Sequence, residues 1–189
     1  MVKKIFLTML LPKIISIIGP ESTGKSTLAR DLAVHFGEPW VPEYARTYIE
    51  NLNRPYTFED LLSIAKGQLN LQDQLHRSAK NYLFCDTDLQ VIKVWSLFKY
   101  KQLHPWIETK LKTRLPHLYL LTDIDLPWEE DPQREHPDPK TRKFLYDWYL
   151  DLIQQTGIPY AIVSGNPTQR IQKSLDAISK KMRRNHSEG

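Results

Sequence analysis

Short apolar runs alternate along the chain with longer segments in which apolar residues recur at helical spacing. The apolar runs, each of which predicts a buried strand, lie at 14–18, 40–41, 82–85, 117–121 and 160–163. The segments of helical pattern lie at 25–36, 57–79, 89–100, 141–155 and 168–182. This alternation predicts an α/β fold in which helices flank both faces of a parallel five-stranded sheet. Because ligands of such sheets bind beyond the carboxyl ends of the strands, we expect the functional groups along that edge.

The segment between the first predicted strand and the first predicted helix is a complete Walker A phosphate loop. It reads Gly19-Pro20-Glu21-Ser22-Thr23-Gly24-Lys25-Ser26-Thr27, and it has the strand-to-helix context that gives the motif its meaning. Glycines let backbone N–H groups face a phosphate, and the helix dipole adds a partial positive charge there. We expect Lys25 to reach the β- and γ-phosphates and the Ser26 hydroxyl to ligate Mg²⁺. The predicted ATP-binding residues are Gly19, Glu21, Ser22, Thr23, Gly24, Lys25, Ser26 and Thr27.

A phosphate loop predicts a nucleotide but leaves the second reactant open, since GTPases, motor ATPases, small-molecule kinases and DNA-binding ATPases all contain one. The Asn-Lys-x-Asp signature that usually accompanies guanine recognition is absent from the sequence. A chain of 189 residues with a polar loop before its last helices favours a small-molecule kinase of the P-loop NTPase type.

Two carboxylates end predicted strands close to the phosphate loop. Asp86 follows the strand at 82–85, where a Walker B-like aspartate would hold Mg²⁺; the alternative, which applies even more to Asp88, is a cap of the next helix. Glu43 ends the second strand, where a carboxylate can orient or deprotonate an attacking hydroxyl. Its alternative is a surface glutamate paired with Arg46.

Residues 123–139 form a charged, proline-bounded loop with the composition of a mobile lid. Within it, Arg134 is placed to approach a phosphoryl group in transfer, where a positive charge neutralises the transition state. Trp128 either stacks on a flat ligand or anchors the lid. A solvated charged loop without a catalytic role is the alternative.

The composition limits the possible partners and location of the protein and is consistent with a kinase. A formal charge of +4 suits a phosphorylated ligand as well as a nucleic acid. The basic residues at 180–184 end a predicted helix and complement its dipole, so nucleic-acid binding is not expected. A single cysteine, Cys85, excludes an intrachain disulfide and favours the cytoplasm. No run reaches the ~20 apolar residues of a membrane span.

We predict one kinase domain at 14–184, with the lid at about 123–139, a short arm at 1–13 and a tail at 185–189. The arm imitates a signal peptide, but its apolar run is short and is broken by Pro12-Lys13. No small-residue cleavage site follows it, so secretion is not expected.

Taken together, these motifs resemble the ribosylnicotinamide (nicotinamide riboside) kinase domain of NadR-type proteins. The resemblance runs from about Ile14 to the last helix, nearly the entire chain. It is carried by the phosphate loop, Glu43-Tyr44-Ala45-Arg46, Gly67-Gln68, Cys85-Asp86-Thr87-Asp88 and the segment 128–134.

The resemblance implies transfer of the ATP γ-phosphoryl, with Mg²⁺, to the 5′-hydroxyl of nicotinamide riboside, a step of NAD biosynthesis. It places Glu43 and Arg46 beside the riboside, Asp86 beside the metal and the acceptor hydroxyl, and Arg134 in the lid. The predicted catalytic residues are Lys25, Asp86, Glu43 and Arg134; the metal ligands are Ser26 and Asp86; the substrate-binding residues are Glu43, Tyr44, Arg46, Asp88 and Trp128.

This chain departs from the family pattern in two ways. It lacks the His-x-Gly-His motif and has no room for a helix-turn-helix module or an adenylyltransferase domain, so adenylyl transfer is not expected. Some members carry an aromatic residue directly before the Glu-Tyr pair, where this chain has Pro42; Trp40 or Trp128 is then expected to face the pyridinium ring. A kinase for another nucleoside or small alcohol, and an ATP-binding regulatory module, remain the alternatives.

Overall fold

The computed structural model describes residues 11–184, in which five strands alternate with seven helices. In chain order these are β1 (Lys13–Ile18), α1 (Lys25–Phe36), β2 (Trp40–Val41), α2 (Tyr44–Glu50), α3 (Phe58–His76), β3 (Tyr82–Asp86), α4 (Leu89–Tyr100), α5 (Pro105–Thr113), β4 (Leu118–Thr122), α6 (Pro139–Gln155), β5 (Tyr160–Val163) and α7 (Pro167–Arg184).

The five strands form one sheet in the order β2-β3-β1-β4-β5, and every neighbouring pair is parallel. The central strand, β1, pairs with β3 on one side and with β4 on the other. The chain therefore leaves β1 toward one edge of the sheet and later returns to build the other edge. A crevice forms where the two directions part, at the carboxyl end of β1. The phosphate loop lies there, and the predicted α/β fold is confirmed.

Helices cover both faces of the sheet, which explains why the strands read as continuous apolar runs. On one face, Ile15 and Ile17 of β1 pack with Leu28 and Leu32 of α1 and with Ile178 of α7. On the other face, residues of β1 and β4 pack with α6 and with Val94 of α4. A third cluster joins α2, α3, α4 and α5 beside the sheet.

The sequence pattern misses two helices, α2 and α5. The first has only seven residues and begins directly after Glu43, whose side chain makes no capping hydrogen bond. The second carries ordinary start signals: Pro105 occupies the first turn and His104 accepts a hydrogen bond from the N–H of Trp106. Both were hidden by their lack of a long apolar periodicity.

Several predicted boundaries shift by one to three residues. Helix α3 ends at His76 and not at Ala79, because the N–H groups of Ser78 and Ala79 both turn back to the Leu75 carbonyl. Strand β4 begins after His117, whose ring accepts a hydrogen bond from the N–H of Ile14. Helix α6 begins at position 139, so the lid spans 123–138.

The predicted arm and tail lie mostly or wholly outside the described residues, and β1 begins one residue before the predicted domain start. Within residues 11–184, no helix combines the length and the apolar character that crossing a bilayer demands.

Candidate active site

The phosphate loop turns between β1 and α1 through backbone conformations that demand small residues. Gly19 and Gly24 have φ of 145° and 76°, and Ser22 adopts φ of 55°. A Cβ on Gly19 would lie 2.5 Å from the Oγ1 of Thr122, so only glycine lets the loop pass the end of β4. The same Thr122 hydroxyl hydrogen-bonds to Thr23 at 2.7 Å, which ties the loop to the neighbouring strand.

A cavity of about 720 Å³ opens beside this loop. Lys25 lines it, and its ammonium donates a 2.7 Å hydrogen bond to the carbonyl of Pro20. The predicted site residues that line the cavity are Gly19, Glu21, Ser22, Thr23, Gly24, Lys25, Ser26, Thr27, Glu43, Arg46 and Arg134. Four predicted site residues do not line it: Tyr44, Asp86, Asp88 and Trp128.

Asp86 lies at the end of β3, 1% exposed, directly behind the phosphate loop. Burial raises the pKa of its carboxyl, while Lys25 and a hydrogen bond from the Ser26 hydroxyl act in the opposite direction. Its Oδ1 has no hydrogen-bond partner in the described part of the chain. A buried carboxylate oxygen without a partner is costly, and a cation beside it would remove that cost.

These groups fit Mg²⁺. The ion takes oxygen ligands and usually relies on one or two protein groups together with substrate phosphates and water. The Ser26 hydroxyl and the orphaned Asp86 oxygen supply that set next to the phosphate loop. No cluster of three or more His, Cys, Asp or Glu side chains suited to a metal occurs within residues 11–184, and a phosphate-assisted magnesium site needs none.

Glu43 is half-buried at the start of α2 and lines the cavity. Burial raises the pKa of its carboxyl, the ammonium of Lys25 opposes the rise, and the charge of Asp86 adds to it. Two carboxylates therefore flank one lysine at the loop. Glu43 faces the cavity and Asp86 lies behind it, so the geometry separates a cavity-facing carboxylate from a buried one.

Arg46 and Tyr44 come from the same short helix but point to different places. Arg46 lines the cavity and forms a 3.0 Å ion pair with Asp131 of the lid. Tyr44 donates its backbone N–H to the side chain of Gln68, and its ring would come within 2.1 Å of a Cβ on Gly67. The Gly67-Gln68 pair thus seats α2 on α3, and the structure does not bring Tyr44 to the cavity.

Asp88 caps helix α4. Its carboxylate accepts a 2.8 Å hydrogen bond from the backbone N–H of Gln90 and is 7% exposed. Burial raises its pKa to about 6, while hydrogen bonds from Gln90, Ser16 and Tyr119 act in the opposite direction. These contacts match the helix cap, and the structure does not bring Asp88 to the cavity.

The lid lies against the phosphate loop. Arg134 donates to the Ser22 hydroxyl at 3.2 Å and to the carbonyl of Glu129 at 2.5 Å, and it lines the cavity. Farther along, the N–H groups of Glu135 and His136 donate to the Glu21 carboxylate at 2.9 and 3.1 Å. Two residues of the Walker loop thus hold the lid through their side chains.

The tryptophans proposed to stack on the acceptor do not face the cavity. Trp128 is half-buried beneath the guanidinium of Arg142, which lies 5.5 Å from its ring centre, so it anchors the lid. Trp40 packs against the core between α1 and the sheet. The expectation that one of them meets a ring in the cavity is not supported by their positions.

Other aromatic residues line the cavity and form an aromatic wall. Tyr56 and Trp95 meet edge to face at 4.9 Å, and the Trp95 indole donates a 3.0 Å hydrogen bond to the Tyr56 hydroxyl. Phe98 and Tyr149 line the same cavity. The ammonium of Lys99 lies 3.9 Å from the centre of the Tyr56 ring. Sequence reasoning missed this aromatic wall.

Sequence reasoning also missed two buried arginines that hydrogen-bond to backbone carbonyls of the phosphate loop. Arg170 of α7, 3% exposed, donates to the carbonyl of Thr23 at 2.9 Å and is paired with Asp125. Arg142 of α6 donates to the carbonyl of Ser22 at 3.2 Å. No motif marks either position, because each contact joins segments more than a hundred residues apart.

Comparisons with known proteins agree with this geometry. A family model described as AAA domain matches residues 14–170. The trifunctional NAD biosynthesis/regulator protein NadR of Salmonella typhimurium is 25% identical over 153 residues, which are 79% of this chain and 37% of that protein. The Escherichia coli protein of the same name is 25% identical over 155 residues, with the same coverage. The chain thus spans little more than a third of the length of these relatives.

Solved structures show the same fold. A NadR protein in complex with NAD and AMP-PNP superposes with a TM-score of 0.74 at 24% identity, over 90% of this chain and 50% of that one. A NadR protein in complex with NR gives the same score and coverage at 23% identity. A deoxyadenosine kinase from M. mycoides gives a TM-score of 0.61 at 13% identity, over 88% of this chain and 99% of that one.

Proposed function

The chain belongs to the AAA domain family of P-loop proteins and has the fold of P-loop kinases, and from that premise we propose that it phosphorylates nicotinamide riboside. The reaction transfers the γ-phosphoryl of ATP to the 5′-hydroxyl and yields nicotinamide mononucleotide. The observation that carries the proposal is the placement of Lys25 between two carboxylates, one facing the cavity and one behind the phosphate loop.

The relatives support the choice of acceptor. The curated NadR proteins are named for NAD biosynthesis, and one solved NadR protein is in complex with NR. Their resemblance covers 79% of this chain for the curated relatives and 90% for the solved structure. The cavity of about 720 Å³ is also within the range of pockets that hold ligands of this size.

The residues present divide the work of phosphoryl transfer among themselves. Backbone N–H groups of the loop and the ammonium of Lys25 hold the phosphate chain in line with the acceptor. Arg134 reaches Ser22 from the lid. Its positive charge stabilises the negative charge that develops on the phosphoryl group during transfer. Glu43 lies on the cavity wall, where its carboxylate orients the attacking hydroxyl or takes its proton.

Ser26 and Asp86 would hold Mg²⁺. When bound, the ion neutralises charge on the phosphate oxygens. Lid closure by residues 123–138 excludes water, which keeps ATP from being hydrolysed before the acceptor arrives.

A measurement of ADP release with and without candidate acceptors tests this function. We expect little ADP from ATP alone and rapid release with nicotinamide riboside, with nicotinamide mononucleotide identified by mass spectrometry. Lys25→Ala should lose ~10²–10³-fold in rate while staying folded, because single electrostatic groups contribute that much. Release with a different nucleoside only would assign another acceptor, and slow acceptor-independent hydrolysis would favour a regulatory ATPase.

A further inference from the structure

Arg142 is a buried arginine that the roles described so far do not explain. It lies at the start of α6, on the lid side of the phosphate loop, and only 7% of its surface is exposed. Arginine is almost never buried to this extent unless it is paired. Arg142 is not ion-paired with any carboxylate among residues 11–184.

The polar contacts of the Arg142 side chain are few. Its Nη2 donates one hydrogen bond of 3.2 Å, to the carbonyl of Ser22, and its Nε is buried without a partner in the described residues. The face of its guanidinium lies over Trp128, 5.5 Å from the ring centre. Trp128 therefore orients the group and shields it from water without neutralising its charge.

A second guanidinium lies close by. Arg134 donates to the hydroxyl of Ser22, while Arg142 donates to the carbonyl of the same residue. Burial lowers the pKa of Arg142, the charge of Arg134 lowers it further, and the charge of Glu21 offsets only part of this. Two like charges thus converge on one residue of the Walker loop, close to Lys25.

This arrangement is unfavourable in the protein alone and favourable around an anion. A buried charge without a partner costs stability, and a like charge beside it adds to the cost. Arg142 does not itself line the cavity. We propose that it acts across Ser22 and supplies positive charge to the phosphate chain of a bound nucleotide. This proposal deepens the function proposed above, and it rests only on the part of that function that concerns ATP binding.

Titration with inorganic tripolyphosphate, ATP and adenosine tests the proposal directly. For Arg142→Gln, which keeps a donor for the Ser22 carbonyl but removes the charge, we expect affinity for ATP and for tripolyphosphate to fall roughly tenfold or more, as for loss of a charged partner. Adenosine binding should not change. Arg142→Lys keeps the charge and should retain most of the tripolyphosphate affinity.

The thermal midpoint of the ligand-free protein gives a second readout. Because the charge is uncompensated without nucleotide, Arg142→Gln should melt at the same temperature as wild type or higher, while its stabilisation by saturating ATP should shrink. Arg30→Met is the control. Arg30 is a mostly exposed arginine on α1 paired with Asp31, and its loss should leave the tripolyphosphate affinity unchanged.

Two outcomes would overturn the assignment. Equal tripolyphosphate affinity in the Gln and Lys variants would mean that the charge does not act on phosphate. A loss confined to ATP, with tripolyphosphate unaffected, would place the guanidinium against the base instead. Since none of these titrations contains an acceptor, a wrong choice of acceptor cannot produce either result.

Discussion

The carboxylate of Glu135, in the lid, accepts a 2.5 Å hydrogen bond from the hydroxyl of Tyr56, on the aromatic wall of the cavity. The ammonium of Lys99 donates to the same carboxylate at 2.9 Å. The backbone N–H of Glu135 in turn donates a hydrogen bond to the carboxylate of Glu21 in the phosphate loop. One lid residue therefore connects the phosphate-loop side of the cavity with the aromatic side.

Removal of the Tyr56 hydroxyl should loosen the lid. One hydrogen bond to a carboxylate contributes about 1–2 kcal/mol, so Tyr56→Phe should raise the open fraction of the lid roughly fivefold or more. We expect faster proteolysis within residues 123–138 and more ADP release from ATP without acceptor. Tyr160→Phe is the control, because its hydroxyl bonds to Gln154, away from the lid. Identical cleavage rates in the two variants would show that Tyr56 does not hold the lid.

The buried cap of α4 should make stability depend on pH. The pKa of Asp88 is about 6 in the folded protein, whereas an aspartate in an unfolded chain titrates near ~4. The folded state binds the proton more tightly, so the stability that Asp88 contributes is complete below about pH 4 and is lost as the pH rises through about 6.

Asp88→Asn tests that linkage, because asparagine is also a good cap and does not titrate. Relative to wild type, the variant should gain unfolding free energy between about pH 4 and pH 7. At ~1.4 kcal/mol per pKa unit, the gain has an upper bound of about 3 kcal/mol. Denaturant unfolding across this pH range measures it. A difference that stays constant with pH would contradict a raised pKa at this position.

The sheet and the phosphate loop could be predicted from the sequence, because the signals of both lie in residues that are neighbours along the chain. The five strands are buried on both faces, so each appears as an apolar run, and the loop needs its glycines and Lys25 at fixed spacing. Helix α2 was not predicted, because seven residues are too few to show a helical period of apolar positions. Asp88 illustrates a true ambiguity, since a carboxylate after a strand looks the same whether it caps a helix or faces a ligand.

The aromatic wall could not be read from the sequence for a different reason. Val91, Val94, Trp95 and Phe98 recur at helical spacing along α4, which is also the pattern of a core-facing helix. Whether such a stripe meets another helix or borders a cavity depends on what the rest of the chain places opposite. For Trp128 the error was the opposite one. A tryptophan in a polar loop suggests ligand contact, but its ring packs against Arg142, a contact that the sequence does not reveal.

If the acceptor carries an aromatic ring, Trp95 should recognise it. The half-buried indole lines the cavity, and stacking of a pyridinium on such a face contributes on the order of 0.5–2 kcal/mol. Trp95→Leu should raise KM for the acceptor roughly threefold to thirtyfold while KM for ATP changes little. Trp128→Leu is the informative comparison, because it should perturb the lid and ATP instead. An unchanged acceptor KM in Trp95→Leu would place the ring elsewhere.

The last prediction separates the two carboxylates beside Lys25. Asp86 is 1% exposed with an unpartnered oxygen next to Ser26, so its charge should serve the metal. Asp86→Asn keeps the size and removes the charge. We expect kcat to collapse and the concentration of Mg²⁺ needed for half-maximal activity to rise. Because burial disfavours the charge, the ligand-free variant should also be at least as stable as wild type.

Variants of Glu43 should have different kinetics, because Glu43 lines the cavity in which we propose that the acceptor binds. Glu43→Gln should raise KM for the acceptor and leave the Mg²⁺ dependence as in wild type. General-base assistance contributes typically ~10²–10⁴-fold, so a kcat loss of that size would identify Glu43 as the base. The loose transition state of phosphoryl transfer asks little of a base, so we expect a smaller kcat loss. A Glu43→Gln enzyme with an altered Mg²⁺ requirement, or an Asp86→Asn enzyme without one, would reverse the assignment of the two carboxylates.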